Sequence, residues 1–462
     1  MRRKITWILV LIMAFTCMVP ACSSTPAASV PSEAGTAGPA ETGEAEETPA
    51  DNSAGTQGAA DEIVNITFME VLENQARTEW LDGVIADFES QHPNIKVNRE
   101  AIPWEQAHDR LVTQVAAKAV PDVLETPANW LSEFAATGAY ENLQPYFDTW
   151  EYNTEIADIA LSLGKSYDDT LYELPYGLYL VVMMYRSDWL AENNIPVPTT
   201  IEEYYQAIAD VTDTSQNRYG YAFRGGAGCW GLLSTLLLGE MGTGRYFEDD
   251  NTTSIFRRPE AVTALENFGN LYFNGYAPQD ALNWGYAETV DSFTSGVTGF
   301  LVQDTEVIGV CLDKLGEDKF NTAMAPAGSD GNTYLIAGHV GLSISSYSEH
   351  KDEAWELITY LMSPEVNAAW AETSWLVPSN KDALNDPTFA EGLMAPVGTA
   401  LTDPNVVLYS HPDYLPEWGE FYEKFSVNEL QAYLLGEQTA AETLSNIAGY
   451  LEEAQAKYLE SK

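Results

Sequence analysis

A repeated change in the spacing of apolar residues limits this chain to a small set of folds. Residues 63–69 (IVNITFM) alternate as in a β-strand, and apolar residues then recur at helical spacing until Pro93. A second strand begins at Ile95, a helix follows near residues 105–119, and residues 121–124 have the character of a short buried strand. Because strands and helices alternate at this pace in parallel α/β sheets, we predict such a sheet here.

The same alternation resumes in the second half of the chain. Residues 178–185 (LYLVVMMY) form a continuous apolar run, and residues 297–302 and 340–344 have the same character. These runs predict three further buried strands. Capping-box spacing predicts helices that begin just after Thr200 and Thr439.

Residues 1–22 have the layout of a secretory signal. Three basic residues precede an apolar run over residues 5–15, which is shorter than the roughly 20 residues of a membrane-spanning helix. The segment ends at Cys22 and resembles the bacterial lipobox, whose cysteine receives diacylglycerol. We therefore predict a lipid anchor at Cys22. The alternative is plain secretion, in which this cysteine has no role.

Residues 23–60 are mainly Ser, Thr, Pro, Ala, Gly and Glu, with no aromatic residue and no Lys or Arg. Such a segment cannot bury enough apolar surface to offset the entropy of ordering it. We predict a disordered acidic tether with a reach of roughly 35 Å.

Charge and cysteine content exclude several classes of partner. The formal net charge of −47 repels phosphate backbones, so a nucleic-acid partner is excluded. Beyond the signal and the proposed lipid site only Cys229 and Cys311 remain, either as one disulfide or as two buried thiols. These cysteines and five scattered histidines form no metal-binding pattern, and we predict neither a metal nor a cofactor.

Five segments, in order, resemble the family 1 extracellular solute-binding proteins of ABC importers, the family that includes maltose-binding protein. The segments are FESQHPNIKVNREAIPWEQ (88–106), PDVLETPANWLSEFAATGAYENLQPYFD (121–148), YELPYGLYLVVMMYRSDWLAENNIPVPTTIEEY (172–204), GFLVQDTE (299–306), and the stretch from residue 337 to SWLVPSN (374–380). Together they extend over most of the chain that follows the tether.

The resemblance implies an α/β fold of the periplasmic-binding-protein type II class, with two lobes, interlobe crossing strands and a ligand cleft. The chain is expected to cross between the lobes near residues 172–181, 338–342 and 378–382. The expected lobes are residues 61–175 with 337–380, and residues 176–336 with 381–462.

A sugar presents hydroxyl groups in every direction and one apolar ring face, so its site needs aromatic platforms and hydrogen-bonding side chains. Candidates on the first lobe follow predicted strands, where a parallel sheet directs its carboxyl edge toward a cleft. They are Glu70, Glu73, Trp104, Glu125 and Trp130.

Further candidates lie on the crossover segments and the second lobe: Tyr176, Tyr179, Trp230, Trp284, Asp304, His339, Trp375 and Trp418. Trp230 ends a glycine-rich loop that starts at Arg224. For each aromatic residue the alternative is core packing, and for each carboxylate it is a solvated surface. Trp80 and Trp355 lie on apolar helical faces and are assigned to the core.

The resemblance implies a monomeric binding protein, without enzymatic activity, at the extracellular face of the cell membrane. It would capture a carbohydrate, preferably an oligosaccharide, by lobe closure and deliver it to the permease subunits of an ABC importer. The alternatives are a secreted glycoside hydrolase with two carboxylates, a wall-associated scaffold protein, and the same fold binding a polyamine or another non-sugar solute. The sequence contains no HExxH, GxSxG or P-loop motif.

Overall fold

Two long strands connect the two halves of a single mixed sheet. The computed structural model describes residues 63–71, 75–381, 383, 386–389 and 391–462. The predicted signal with Cys22, the predicted tether and the candidate Glu73 lie outside the described residues. Within the described part, no helix combines the length and the apolar character that crossing a bilayer requires.

The described residues form ten strands, which we number in chain order. They are β1 (Val64–Glu70), β2 (Ile95–Ala101), β3 (Val123–Pro127), β4 (Glu173–Tyr185), β5 (Tyr219–Tyr221), β6 (Thr298–Asp304), β7 (Asn321–Ala323), β8 (Thr333–Ile344), β9 (Val377–Pro378) and β10 (Val406–Tyr409). The spatial order is β2-β1-β3-β8-β4-β6-β5, with β10 paired to β8 and both β7 and β9 paired to β4.

Strand direction corrects part of the sequence prediction. The predicted parallel pairing is confirmed for β1 with β2 and β1 with β3. However, β8 runs antiparallel to both β3 and β4, and β4 runs antiparallel to β6. The spacing of apolar residues reports which faces of a strand are buried and says nothing of the direction of its neighbours, so the purely parallel prediction was wrong for the crossing strands.

Strand β4 changes partner along its length. Its residues from Glu173 to Leu180 pair with β8, and those from Val181 to Tyr185 pair with β6. Strand β8 likewise pairs with β3, β4 and β10. We call the strands β1–β3 with their helices the β1–β3 half, and β5–β7 with theirs the β5–β7 half. Two of the predicted crossings fall on β4 and β8, while the predicted lobe boundaries stay a prediction.

Each half of the sheet is covered on both faces. Successive residues of a strand point to opposite faces, and here they enter different apolar clusters. Phe68 and Met69 of β1 belong to separate clusters, as do Met183 and Met184 of β4. A three-layer α/β arrangement therefore exists on each side of the crossing strands, which is the packing of a two-lobed protein.

The helices that cover the sheet are also numbered in chain order. They are α1 (Gln75–Gln91), α2 (Trp104–Ala117), α3 (Ala128–Ala136), α4 (Gln144–Phe147), α5 (Asp158–Leu163), α6 (Ser187–Asn193), α7 (Ile201–Val211), α8 (Cys229–Met241), α9 (Pro259–Phe273), α10 (Tyr286–Thr294), α11 (Val307–Leu315), α12 (Lys351–Leu361), α13 (Pro364–Ser374), α14 (Ala395–Ala400), α15 (Trp418–Glu420), α16 (Ser426–Leu434) and α17 (Ala440–Ser461). A π-helical turn over Phe421–Phe425 joins α15 to α16.

Local sequence signals determine several helix ends. Thr200 and Thr439 form the two predicted capping boxes at the starts of α7 and α17, with Glu203 and Glu442 completing them. Of the two alternatives for the cysteines, the structure has the buried thiols, since Cys229 and Cys311 are both free and buried.

Candidate functional site

A cavity of about 70 Å³ lies where the crossing strands meet both halves of the protein. It is enclosed by residues from α2 and α3, from β4 and β8, and from the β5–β7 half. Its aromatic and polar lining residues are Trp104, Asn129, Tyr179, Arg224, Tyr286, Gln303, Asp304, Glu306, His411, Asp413 and Tyr422. Such a mixture of ring faces and a few polar groups is typical of a small-molecule site.

Three of the candidates predicted from the sequence line this cavity. Trp104 is the first residue of α2, directly after Pro103, and Asp304 is the last residue of β6. Tyr179 of β4 pairs with Gly338 of β8, and its ring lies where a Cβ on that glycine would be. A glycine at this position is therefore required for the tyrosine ring to lie across the neighbouring strand.

The cavity contains more carboxyl groups than basic groups. Burial, and then the neighbouring Glu306, raises the pKa of Asp304 to about 7. Burial also raises the pKa of Asp413 to about 7. Glu306 has a raised pKa for the same reason and accepts a hydrogen bond of 2.6 Å from the Tyr286 hydroxyl. Among the described residues that line the cavity, Arg224 supplies the one guanidinium group beside these three carboxyl groups.

Arg224 occupies the cavity wall at the start of the glycine-rich loop that precedes α8. Its side chain is 4 % exposed, and its Nε donates a hydrogen bond of 2.6 Å to the carbonyl of Ala227. The loop thus folds back on its own arginine and holds the guanidinium in place. The sequence predicts ligand contact for Trp230 at the far end of this loop, whereas the structure has Arg224 at the cavity.

His411 is held by two buried aromatic residues. The indole of Trp230 donates a hydrogen bond of 3.0 Å to the Tyr246 hydroxyl, which lies 2.6 Å from Nδ1 of His411. Burial lowers the pKa of His411 to about 3, so its ring is neutral. Since the tyrosine oxygen accepts from the indole, its own proton is directed to Nδ1, and the ring proton of His411 is then on Nε2. This arrangement presents an N–H donor on the other side of the ring.

Three lining residues carry buried polar atoms that have no hydrogen-bond partner among the described residues. They are Nε1 of Trp104, Nη2 of Arg224 and Oδ1 of Asp413. Two of these atoms are donors and the third is a carboxyl oxygen. Because buried polar groups in folded proteins are nearly always paired, these three point to a ligand that both donates and accepts hydrogen bonds.

Other predicted candidates form polar contacts away from the cavity. Glu125 pairs with Arg77 at 2.8 Å and also accepts a hydrogen bond from the Tyr176 hydroxyl. Glu70 pairs with Arg99 at 2.5 Å, and His339 contacts Glu173. None of these four candidates, Glu70, Glu125, Tyr176 and His339, lines the cavity, and their role in ligand binding stays a prediction.

The remaining tryptophan candidates have three different environments. Trp130 lies behind Trp104, with 4.8 Å between ring centroids, and donates a hydrogen bond of 3.3 Å to Glu423. Trp418 is buried and stacked on Phe421, and Trp230 is buried behind His411. Trp284 and Trp375 line two separate surface depressions. Ligand contact by these residues also stays a prediction.

Several lining residues were not among the sequence candidates. Asn129 directly precedes the candidate Trp130, and Glu306 follows Asp304 by two residues, so both lie just after the end of a predicted strand. His411 and Asp413 lie in an irregular segment with no periodic pattern, and Tyr422 lies in the π-helical turn that follows. No local signal distinguishes these three from ordinary loop and core residues.

Two α/β lobes joined by crossing strands, with a cavity between them that is lined by rings and unpaired polar groups, define a two-lobed solute-binding protein. The family model described as "Bacterial extracellular solute-binding protein" matches residues 83–396. The chain therefore belongs to this family, whose members are binding proteins rather than enzymes.

Comparison with individual proteins supports the same fold. A crystal structure of an ABC transporter solute-binding protein from Thermotoga lettingae, bound with alpha-D-tagatose, superposes with a TM-score of 0.74 at 21 % identity over 85 % of this chain and 100 % of that chain. Maltose-bound MalE3 of T. maritima has a TM-score of 0.74 at 22 % identity, over 84 % and 99 % of the two chains. An uncharacterized lipoprotein of Streptomyces antibioticus is 24 % identical over 71 % of this chain and 73 % of its own length.

Proposed function

We propose that this protein captures a carbohydrate outside the cell and delivers it to the permease of an ABC importer. The observation that carries the proposal is the set of unpartnered polar atoms on Trp104, Arg224 and Asp413, beside the rings of Tyr179 and Tyr286. A sugar hydroxyl both donates and accepts hydrogen bonds, so a sugar can pair with all three of these atoms. The apolar face of the sugar ring can at the same time cover an aromatic side chain.

The relatives support the same ligand class. The two structures reported above contain tagatose and maltose, and the first is described as an ABC transporter solute-binding protein. The fold places the cavity between two halves that the crossing strands join, which suits a mechanism in which ligand binding shifts an open form toward a closed one. No covalent step belongs to this mechanism.

A lipid anchor at Cys22 is the proposed link to the membrane. The lipobox-like end of the signal and the acidic tether support it, as does the similarity to the Streptomyces lipoprotein. We propose that the monomeric protein acts at the extracellular face of the membrane. Palmitate labelling of the full chain expressed in a Gram-positive host tests this anchor, since the wild type is expected to incorporate label and the Cys22→Ser variant is not.

A cationic solute, such as a polyamine, is the second candidate. The observation that favours it is the excess of carboxyl groups, Asp304, Glu306 and Asp413, over the single Arg224. A positively charged ligand would neutralise this excess, whereas a neutral sugar would use the same groups as hydrogen-bond partners.

A thermal-shift panel on residues 23–462 separates these candidates. The panel contains mono- and oligosaccharides, polyamines, amino acids and divalent metals, each followed by recovery of the ligand. A ligand at 100 times its Kd adds about 2.7 kcal/mol to the free energy of unfolding, which raises the melting temperature measurably. Stabilisation by an intact saccharide supports the proposal. Stabilisation by polyamines alone contradicts the choice of sugar, and cleavage of the saccharide contradicts the absence of catalysis.

A further inference from the structure

The π-helical turn between α15 and α16 lies beside the cavity. It covers Phe421–Phe425, and the N–H of Ser426 donates to the carbonyl of Phe421, five residues earlier. Such turns are rare and occur frequently at functional sites. Because a π-helical turn holds more residues than an α-helical turn, consecutive side chains are separated by a smaller angle. Three residues in a row can then point to the same side of the chain.

The turn and the two helices opposite it belong to different halves of the protein. Phe421 is part of the apolar cluster that contains residues of β5 and β6. Leu111 of α2 and Leu131 of α3 are part of the cluster that contains residues of β1 and β3. A bond between the turn and either helix therefore joins the β5–β7 half to the β1–β3 half.

The first of three consecutive polar residues in the turn belongs to the cavity. Tyr422 lines the cavity, and its ring centroid lies 5.7 Å from that of His411. Its hydroxyl lies 2.6 Å from the position that a Cβ on Gly231 of α8 would take, so a larger residue at 231 would displace the ring. The position of the turn and the shape of the cavity wall are therefore coupled.

The next two residues of the turn bind the opposite half. Glu423 accepts a hydrogen bond of 3.4 Å from the side-chain amide of Asn129 and one of 3.3 Å from the indole of Trp130, both on α3. The ammonium of Lys424 lies 2.7 Å from a carboxylate oxygen of Asp109 on α2. Two adjacent residues of one turn thus connect to both helices that border the cavity on the other side.

Helix α2 makes a second polar contact with the β5–β7 half. Glu105 precedes Asp109 by four residues and therefore lies on the same face of the helix. Its carboxylate accepts a hydrogen bond of 3.1 Å from the backbone N–H of Ala287, in the first turn of α10. A negative charge is favourable there because a helix N-terminus carries a partial positive charge. One face of α2 therefore has two acidic residues bound to the opposite half, and neither lines the cavity.

We propose that Glu423 and Lys424, with their partners Asn129, Trp130 and Asp109, form a latch that keeps the two halves together even without a ligand. The inference rests on the lobe closure of the proposed function and does not depend on the choice of ligand. It adds that affinity depends on an ion pair outside the cavity. Because apparent affinity is proportional to the fraction of protein in the binding form, weakening the latch weakens binding by a similar factor.

The test reverses the ion pair of the latch. The side chains of Lys424 and Asp109 are 49 % and 68 % exposed, so both can be replaced without disturbing the core. The single variants Lys424→Asp and Asp109→Lys each place like charges next to each other, and the double variant restores an opposite pair. Restoration by the double variant distinguishes a bond between the halves from a separate effect of either residue.

Spin labels at Thr113→Cys and Asn428→Cys measure the distance across the latch by double electron–electron resonance. Each position is exposed and lies four residues beyond one partner of the ion pair. Cys229 and Cys311 are buried, so they are not expected to take up label. The measurement uses residues 23–462 without ligand, and the only additive that is varied is NaCl.

The labelled protein with the latch intact is expected to show mainly the short distance. Each single reversal is expected to lower the ratio of short to long distances about fivefold, because a repulsion replaces an attraction. The double variant is expected to return this ratio to within about twofold of the starting value. At 1 M NaCl the differences among the four proteins are expected to shrink, since the Debye length falls to about 3 Å.

Lys457→Asp is the matched control. This lysine is exposed and pairs with Glu453 at 3.0 Å within α17, so its replacement makes the same change of net charge without affecting a bond between the halves. The control is expected to keep the distance ratio of the starting protein. An equal decrease in the control would mean that net charge, and not the latch, determines the ratio, and would overturn the inference.

Two further results separate the latch from the proposed function. If the protein without ligand shows only the long distance, or if the single reversals leave the ratio unchanged, the latch is overturned while the carbohydrate function stands. If the ratio responds as expected but no saccharide of the thermal-shift panel binds, the latch is supported and the carbohydrate function fails.

Discussion

Buried charged residues are arranged differently on the two sides of the cavity. In the β1–β3 half, Arg77 pairs with Glu125 at 2.8 Å, and Arg99 pairs with Glu70 at 2.5 Å. In the β5–β7 half, Arg224 donates to a backbone carbonyl and keeps a buried nitrogen without a partner in the described structure. Of these two buried arginines, Arg77 therefore stabilises the fold, whereas Arg224 is available to a ligand.

This difference predicts which substitutions affect stability and which affect binding. Breaking a buried ion pair leaves an uncompensated charge and lowers the free energy of unfolding. Removing a side chain whose hydrogen-bonding atoms are available to a ligand changes the free energy of unfolding of the unliganded protein much less.

The largest expected effect is that of Arg77→Met. Arg77 is fully buried, pairs with Glu125 and lies 4.5 Å from the centroid of the Trp370 ring. Its removal is expected to lower the free energy of unfolding by about 3–5 kcal/mol, because a buried carboxylate loses its counter-ion. Guanidinium denaturation measures this. A loss below about 1 kcal/mol would show that the pair does not stabilise the fold.

Arg224→Met is expected to affect binding instead. Loss of the charged hydrogen bonds to a ligand should weaken the best saccharide about 10- to 100-fold in a calorimetric titration, while the lost bond to the Ala227 carbonyl lowers the free energy of unfolding by about 1–2 kcal/mol, less than Arg77→Met does. Arg245→Met is the control, since this arginine is exposed and pairs with Asp249. A large loss of stability with unchanged affinity would reverse the comparison between the two halves.

The unliganded protein is expected to become less stable as the pH rises. The pKa of Asp304 is about 7 in the folded protein and ordinarily 3.8, so between these values the folded state holds a proton that the unfolded chain has released. The free energy of unfolding should therefore fall from about pH 5 to pH 8. Melting temperatures across this range measure the slope, which Asp304→Asn should make shallower. An identical slope in the variant would mean that other groups cause it.

The smallest expected effect is that of Trp230→Phe. The variant keeps a buried ring but removes the indole N–H that donates to the Tyr246 hydroxyl. Without that donor, the proton of the Tyr246 hydroxyl is no longer directed to His411. We expect affinity for the best saccharide to fall about threefold, because a single neutral hydrogen bond outside the ligand contact is lost. Unchanged affinity, measured by the same titration, would show that the ligand makes no use of the orientation of His411.

Local features of the fold were predictable from the sequence, and contacts between distant segments were not. Apolar spacing located β1 and β6, and the hydroxyl of Thr200 with its downstream glutamate located the start of α7. The antiparallel direction of β8 depends on the path of the long chain segment that precedes the strand. The residues of β8 themselves carry no pattern that indicates this direction. Period and capping are properties of a few adjacent residues, whereas strand order is a property of the whole chain.

The candidate site shows the same limit. Trp104, Tyr179 and Asp304 were predictable because they follow or lie on strands whose ends meet at one place. His411 and Asp413 reach the cavity from an irregular segment, which no periodic pattern identifies. Chemical type alone was a poor guide to burial, since the large side chain of Trp230 packs behind the site and supports it.

The change of partner within β4 has a consequence for how this protein diversifies. Leu180 still pairs with β8 and Val181 already pairs with β6, and Tyr179, which lines the cavity, is one residue away. Under the proposed closure, the segment Tyr179–Val181 of β4 both contacts the ligand and bends when the two halves move. A substitution of Tyr179 that changes ligand choice is therefore also expected to change how readily the protein opens.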